Sequence, residues 1–412
     1  MDNLENQLYE LKSVSKKLAN IPLEVKNEVL ERIARKIESN KDSIIKANLT
    51  DLEAAKNNVS DAVYNRLTLS DSKIVGMING LRDLIKLENP VNKKLFSKQL
   101  DDGLILHKIS CPIGVLAVIF EARPDVITQV AGLAIKSSNA LVLKGGKEVQ
   151  NTNRTIFNLI LDAIDEVEEF PNGAVIQIYS RDEVKNLLDM GEYIDLVIPR
   201  GGNSLVKYIK ENTRIPVLGH ADGVCHIYVD ESANFEMTKR IVVDAKCQYP
   251  SACNSVETLL VHKDFLMRDE LISVLKEQDI EIIFNPKSYK TEYSSKKLTV
   301  KFVENLDEAI SHINQYGSGH TDSILTDNIS NAERFMNEVD SAGVYHNAST
   351  RFADGYRYGF GAEVGISTNK IHARGPVGLE GLTIYNYKLC GNGQVVGDYV
   401  EGVKTFNHVD LR

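Results

Sequence analysis

One stretch of the sequence sets a nucleophile on a backbone that can present it: Lys246-Cys247-Gln248-Tyr249-Pro250-Ser251-Ala252-Cys253-Asn254-Ser255-Val256-Glu257-Thr258. Residues 232–246 ahead of it read as a helix, and the run Val256–His262 behind it reads as a strand. Pro250 stops the helix, and small residues bring the chain to Cys253 with little bulk around it. A thiol on such a turn can be open to a substrate. Neighbouring peptide N–H groups can stabilise the thiolate, which is the form that attacks carbonyl carbon. The competing reading is that Cys253 is a small buried residue, the commoner fate of a free cysteine.

Two further stretches suit phosphate and ring binding. Lys144-Gly145-Gly146-Lys147 ends a strand-like run with two glycines and two cations, a chemistry that fits a phosphorylated ligand. Pro199-Arg200-Gly201-Gly202-Asn203-Ser204 ends another and opens a helix, which leaves backbone able to approach a flat ring. Either can also be an ordinary turn. No G-x-G-x-x-G follows a strand and opens a helix; Gly359-Phe360-Gly361 and Gly391-Asn392-Gly393 are near misses in the wrong context. No HExxH, G-x-S-x-G or Walker loop occurs. The nine histidines are dispersed, so no metal is expected.

The elements around these stretches follow from bulk composition and pattern. The 412 residues exceed a single core, so two or three domains are expected. A net charge of −9 argues against nucleic-acid binding. No apolar run approaches a membrane span, and the polar N-terminus has no signal-peptide core. Five scattered cysteines without a CxxC fit reduced thiols and a cytoplasmic location. The first 90 or so residues read as helices, with Leu4, Leu8, Leu11 and Leu18, then Val29, Ile33 and Ile37, at helical spacing. From Pro112 the pattern alternates strand and helix, which predicts a doubly wound parallel sheet, and a second α/β unit begins after Asp230. A strand is expected at 104–109, and a hairpin at 383–396 turning at Gly391-Asn392-Gly393.

These motifs, taken in order, match a family. They are Pro112-Ile113-Gly114-Val115 with Phe120-Glu121-Ala122-Arg123-Pro124-Asp125, the Lys144 and Pro199 loops, the cysteine stretch, and His372-Ala373-Arg374-Gly375-Pro376-Val377-Gly378. Over essentially the whole chain they resemble the gamma-glutamyl phosphate reductases (glutamate-5-semialdehyde dehydrogenases), a branch of the aldehyde dehydrogenase superfamily. The resemblance implies an aldehyde dehydrogenase-like α/β fold with two parallel-sheet domains and a small β oligomerisation flap. It puts an NADP-binding domain at 1–230 (without about 101–110), a catalytic domain at 231–380, and the flap at 101–110 and 381–412.

It also implies NADPH-dependent reduction of L-glutamate 5-phosphate to the semialdehyde and phosphate, in proline biosynthesis, through a thioester on Cys253. Lys144, Gly145, Gly146, Lys147, Gly201 and Gly202 would hold NADP. Lys147 stands where NAD-preferring members often carry an acid, so a 2′-phosphate can pair with it. Around the substrate the resemblance puts Arg123, Asn254 and His220. Two departures matter. The stretch Pro216-Val217-Leu218-Gly219-His220-Ala221-Asp222-Gly223 lacks the glutamate with which oxidising members activate water, leaving His220 as a possible acid or base. Ala122 replaces the superfamily's oxyanion asparagine, and Arg123 beside it can serve substrate phosphate or carboxylate, or a structural ion pair. A homo-oligomer and a glutamate kinase are the implied partners. Reduction of another acyl phosphate or thioester, and a catalytically silent scaffold, are the alternatives.

Overall fold

Amphipathic patterning at the start of the chain gives five helices: α1 (Asp2–Leu18), α2 (Leu23–Ser39), α3 (Lys41–Ala55), α4 (Asp61–Leu67) and α5 (Asp71–Lys86). Leu4, Leu8, Leu11 and Leu18 are buried, as are Val29, Ile33 and Ile37, so the helical stripes face the core. The structure is a computed structural model and describes residues 2–220 and 222–411. Ala221, within the stretch that ends at Gly223, and Met1 and Arg412 at the ends of the expected 1–230 and 381–412 segments lie outside the described residues.

Two strands follow, β1 (Lys94–Asp101) and β2 (Leu104–Pro112). Next come β3 (Val115–Phe120), α6 (Val126–Lys136), β4 (Ala140–Lys144), α7 (Gln150–Asp165), β5 (Val175–Gln177), α8 (Arg181–Leu187), β6 (Leu196–Arg200) and α9 (Asn203–Glu211). Strands β3 to β6 form a parallel sheet in the order β5-β4-β3-β6. Every residue of β3 is buried, as a strand covered by helices on both faces requires. The register sets Ile119 beside Lys144 and Phe120 beside Arg200, so the loops that follow β3, β4 and β6 emerge on one edge. The strand order reverses between β3 and β6, which is where open parallel sheets receive ligands. Lys26 and Lys136 are fully buried among the helices around this sheet. Their ammonium groups are met by Asn89 and Ser138, and by Asn27 and the Ile85 carbonyl.

The second unit contains β7 (Cys225–Val229), α10 (Phe235–Cys247), β8 (Val256–His262), α11 (Arg268–Glu277), β9 (Glu281–Ile283), β10 (Lys297–Val303), α12 (Leu306–Tyr316), β11 (Thr321–Leu325), α13 (Ile329–Glu338) and β12 (Gly343–His346). Its six strands are parallel, in the order β12-β11-β7-β8-β10-β9. A two-stranded ribbon, β13 (Gly365–Ser367) with β14 (Gly375–Val377), follows.

The chain closes with β15 (Thr383–Cys390), α14 (Val396–Val400) and β16 (Val409–Leu411). Here the expected hairpin is overturned. β15 pairs along its whole length with β2 across an antiparallel sheet β15-β2-β1-β16, and residues 396–400 are helical. The turn at Gly391-Asn392-Gly393 is instead tied to the β1–β2 turn, since Gln394 Nε2 donates to the Asp102 carbonyl at 2.9 Å. β2 also runs three residues past its expected end. None of the helices among the described residues is long and apolar enough to cross a membrane.

Candidate active site

Helix α10 starts on Asn234, whose side chain accepts from the Met237 N–H, and ends at Cys247, three residues before Pro250. The loop that follows is closed by short-range bonds: Ala252 N donates to the Tyr249 carbonyl at 3.1 Å and Ser255 N to the Ala252 carbonyl at 2.9 Å. Beneath it the fully buried Lys246 donates to Glu257 Oε2 at 2.8 Å and to the Val256 carbonyl at 2.9 Å, fastening the helix end to the start of β8. Burial and salt bridge oppose each other here: burial pulls the Lys246 ammonium down and raises the Glu257 carboxyl, and each partner restrains the other's shift. Thr350 Oγ1 donates to the Asn254 carbonyl (2.7 Å) and Asn254 Nδ2 to the Ala353 carbonyl (2.8 Å), so a distant segment clamps the residue next to Cys253. On the other side Gly223 lies against Cys253; a Cβ there would sit 2.2 Å from the Cys253 carbonyl oxygen.

Cys253 precedes β8 and therefore lies at the N-terminal edge of the six-stranded sheet. Its neighbours come from both sheets. His220 lies between α9 and β7, three residues past Val217, which bridges to Val197 of β6, and His320 precedes β11; their rings meet edge to face with centroids 5.2 Å apart. One ring nitrogen of each and Cys253 Sγ all lie within 4.8 Å of one another. His320 joins Cys253 and His220 without any local signal in the sequence, because the three lie far apart in the chain. Among the described residues no peptide N–H donates to Cys253 Sγ, so the expected support for a thiolate is not seen in this geometry. Burial pushes the thiol up to about 12, Glu292 and Glu363 add to the shift, and Arg200 and Arg351 oppose it. Burial also pulls both imidazoles down, His320 to about 3. The resting cluster is thus a neutral thiol between two neutral rings. His220 Nδ1 lies 3.1 Å from the Ile366 carbonyl, which can only accept, so Nε2 carries the lone pair. His320 Nε2 is buried without a partner among the described residues.

At the C-terminal edge of the four-stranded sheet, Lys144 ends β4 and Lys147 is exposed. Burial pulls the Lys144 ammonium down; nearby Glu148 and Glu121 oppose that, while Arg181 adds to it. Gly201 and Gly202 open α9, and the Gly202 N–H donates to Glu121 at 3.1 Å. That helix start already holds a carboxylate, the kind of charge a pyrophosphate carries, and no atom approaches within 4 Å of the place a Gly202 side chain would occupy. A Cβ on Gly145 would meet Asn153 Nδ2 at 2.1 Å, and the buried Asn153 amide has no partner among the described residues. An open helix start, glycines against the sheet edge and clustered cations fit a dinucleotide.

The family model described as the aldehyde dehydrogenase family matches residues 8–293 and 285–365. A protein named gamma-glutamyl phosphate reductase in Brachyspira hyodysenteriae is 53% identical over 97% of this chain and 98% of its own. One of the same name in Acetivibrio thermocellus is 48% identical over 98% of each chain. The chain belongs to the gamma-glutamyl phosphate reductases of the aldehyde dehydrogenase family. The crystal structure of the Thermotoga maritima member superposes with a TM-score of 0.92 at 37% identity, over 95% of this chain and 99% of that one. An aldehyde dehydrogenase-family fold is shared more distantly with a Methanocaldococcus jannaschii enzyme crystallised with NADP, at a TM-score of 0.68, 13% identity and 95% of this chain against 94% of that one.

Within this reductase framework the remaining expected residues separate. Arg123 is half exposed and pairs with Asp125 at 2.8 Å, the structural alternative left open by the sequence. Asn254 donates one amide N–H to the Ala353 carbonyl, and its Oδ1 has no partner among the described residues. Ala122, in the place of the oxyanion asparagine, sits in the left-handed region at φ 50°, with its N–H donating to Glu148 at 2.9 Å. Nothing local in the sequence singles out His320 or Arg351, each a lone polar residue, while Arg200 lies within the Pro199 loop without a role of its own in the sequence reading.

Proposed function

We propose that the protein reduces L-glutamate 5-phosphate with NADPH to L-glutamate 5-semialdehyde and phosphate, through a thioester on Cys253. The observation that carries this reading is the convergence of Cys253 Sγ, His220 and His320 within 4.8 Å, between the sheet edge that fits a dinucleotide and the clamped cysteine turn. Because the resting thiol is neutral, its proton leaves as the C–S bond forms, with His220 Nε2 as acceptor. The C–O bond to the phosphoryl group breaks with its electron pair on oxygen, and phosphate departs as the hydrogen phosphate dianion once it takes up that proton. Bound NADPH supplies the hydride. The chain's own task is to hold the thioester carbonyl, keep water out, and release aldehyde as the C–S bond breaks, after which the Cys253 thiolate takes up a proton from solvent to restore the neutral thiol. No glutamate occupies the 216–223 stretch, so nothing there activates water against the thioester.

Lys144, Gly145, Gly146, Gly201 and Gly202 are the residues that would hold the dinucleotide, with Lys147 reaching the 2′-phosphate. The antiparallel sheet is the assembly flap in this reading: Ile384, Tyr385, Tyr387 and Leu389 on β15 are exposed apolar side chains that a second copy can cover. Such a labile acyl phosphate is the reason to include a glutamate kinase among the partners. The test is NADPH oxidation with kinase-generated substrate, and NADP reduction by semialdehyde with phosphate. Cys253→Ser should lose nearly all turnover yet still bind NADPH, while Cys247→Ser keeps most of it; full activity in Cys253→Ser overturns the mechanism.

A further inference from the structure

A buried cation beside the nucleophile lacks a counter-ion. Arg351 is 7% exposed and lies in a short turn, Thr350–Phe352, that is bonded to Asn254 through Thr350 and Ala353. Its Nε donates to Gln248 Oε1 at 2.9 Å, and its guanidinium lies 5.9 Å over the Tyr249 ring, so both contacts are to the loop that leads into Cys253. The two Nη groups meet no acceptor, and no carboxylate pairs with the side chain, among the described residues; Asp244 and Asp354 act on it only from a distance. A guanidinium cannot shed its proton to escape burial, so such a charge calls for an anion from outside. Arg200, the other cation felt by Cys253, is likewise without a salt bridge among the described residues and has Arg123, Glu363 and Asp125 in its surroundings; Arg351 is the one of the two whose side chain is bonded to the loop that leads into Cys253.

We infer that Arg351 binds the phosphoryl group of the acyl phosphate, and the inorganic phosphate that replaces it, through its two Nη groups. This rests on the proposed reduction. In an acyl phosphate the phosphorus is one oxygen away from the carbonyl carbon that Cys253 attacks, so the phosphate must lie beside the thiol, and the planar fork matches two of its oxygens. As the C–O bond breaks, the charge that collects on the leaving oxygen does so next to the guanidinium.

The experiment uses the full-length protein in two arms. In the first, alkylation of Cys253 by iodoacetamide is followed by peptide mass spectrometry against inorganic phosphate. Phosphate should slow it saturably in the wild type, weakly in Arg351→Lys and not in Arg351→Ala. In the second, the reverse reaction should show the KM for phosphate raised about 10- to 100-fold in Arg351→Ala, with the KM for semialdehyde little changed. If Arg351→Ala does not fold, Arg351→Lys carries both arms. Undiminished phosphate protection in the variant, or equal changes in both KM values, overturns the inference. Absent turnover in a wild type that phosphate still protects would overturn the proposed reduction instead and leave the anion site standing.

Discussion

Gly223→Ala adds one methyl group, and the structure indicates what it displaces. The new Cβ would stand 2.2 Å from the Cys253 carbonyl oxygen and 2.5 Å from its Cα, whereas ordinary contact begins at 3.4 Å. These are backbone atoms, so no side chain can swing aside, and the cysteine turn must retreat by roughly 1 Å. The turn is held from the far side by Thr350 and Ala353, which spreads the strain into the clamp. A displacement of that size at a reacting atom costs about 100-fold in rate, and overpacking of this kind about 1–3 kcal/mol in stability. The assay pairs kcat with the alkylation rate of Cys253 and a urea melt. Dinucleotide affinity should hold, because the residues proposed to hold the cofactor lie on the other sheet. A variant with wild-type kcat and an unchanged melt would refute the view that Gly223 sets the position of the thiol.

Gly202→Ala is the converse: its φ of −69° suits any residue and no atom lies within 4 Å, so stability should be unchanged while the KM for NADPH rises; an unaltered KM removes Gly202 from the cofactor site. Lys147→Glu should raise the KM for NADPH far more than that for NADH, and equal effects would show that Lys147 does not read the 2′-phosphate. Burial pulls Lys26 and Lys136 from 10.5 to about 8, with repulsion between them adding to the Lys26 shift. The unfolded chain then holds protons that the native state has released, so stability should rise as the pH climbs from about 8 to about 10.5. Lys26→Met should flatten that rise in denaturant melts taken across the window; an identical profile would contradict it. Sedimentation at micromolar concentration should find an oligomer, and Tyr387→Glu together with Leu389→Glu should shift it toward monomer; a monomeric wild type refutes the flap assignment.

The parts of the fold legible in the sequence are those in which burial is complete and local pattern decides. The all-apolar β3 and the run Val256–His262 emerge where expected because both faces of each are covered. β1 was invisible: Lys94-Leu95-Phe96-Ser97-Lys98-Gln99-Leu100-Asp101 is a largely solvated antiparallel strand whose only strong instruction is its pairing with β2. The turn residues at 391–393 were read as closing a hairpin, yet register is a tertiary property, and β15 found its partner far back in the chain. Cys253 is legible as a candidate nucleophile because helix, proline and strand frame it locally. His320 and Arg351 are not, since they reach the surroundings of Cys253 from distant points of the chain, through the folding of the six-stranded unit.

The clamp on Asn254 spans 96 and 99 residues of chain, so the cysteine turn takes its final shape only after much of the second sheet has closed. Before then Cys253 is an ordinary solvated thiol, ionising near 9.0; afterwards burial carries it to about 12. Folding therefore passivates the thiol proposed to form the thioester. Oxidants act on the thiolate, and burial lowers its share at neutral pH as the native state forms. Vulnerability to peroxide belongs to the nascent or partly opened chain, and a stress that loosens the 350–353 segment should inactivate the enzyme by sulfur oxidation before it melts the fold.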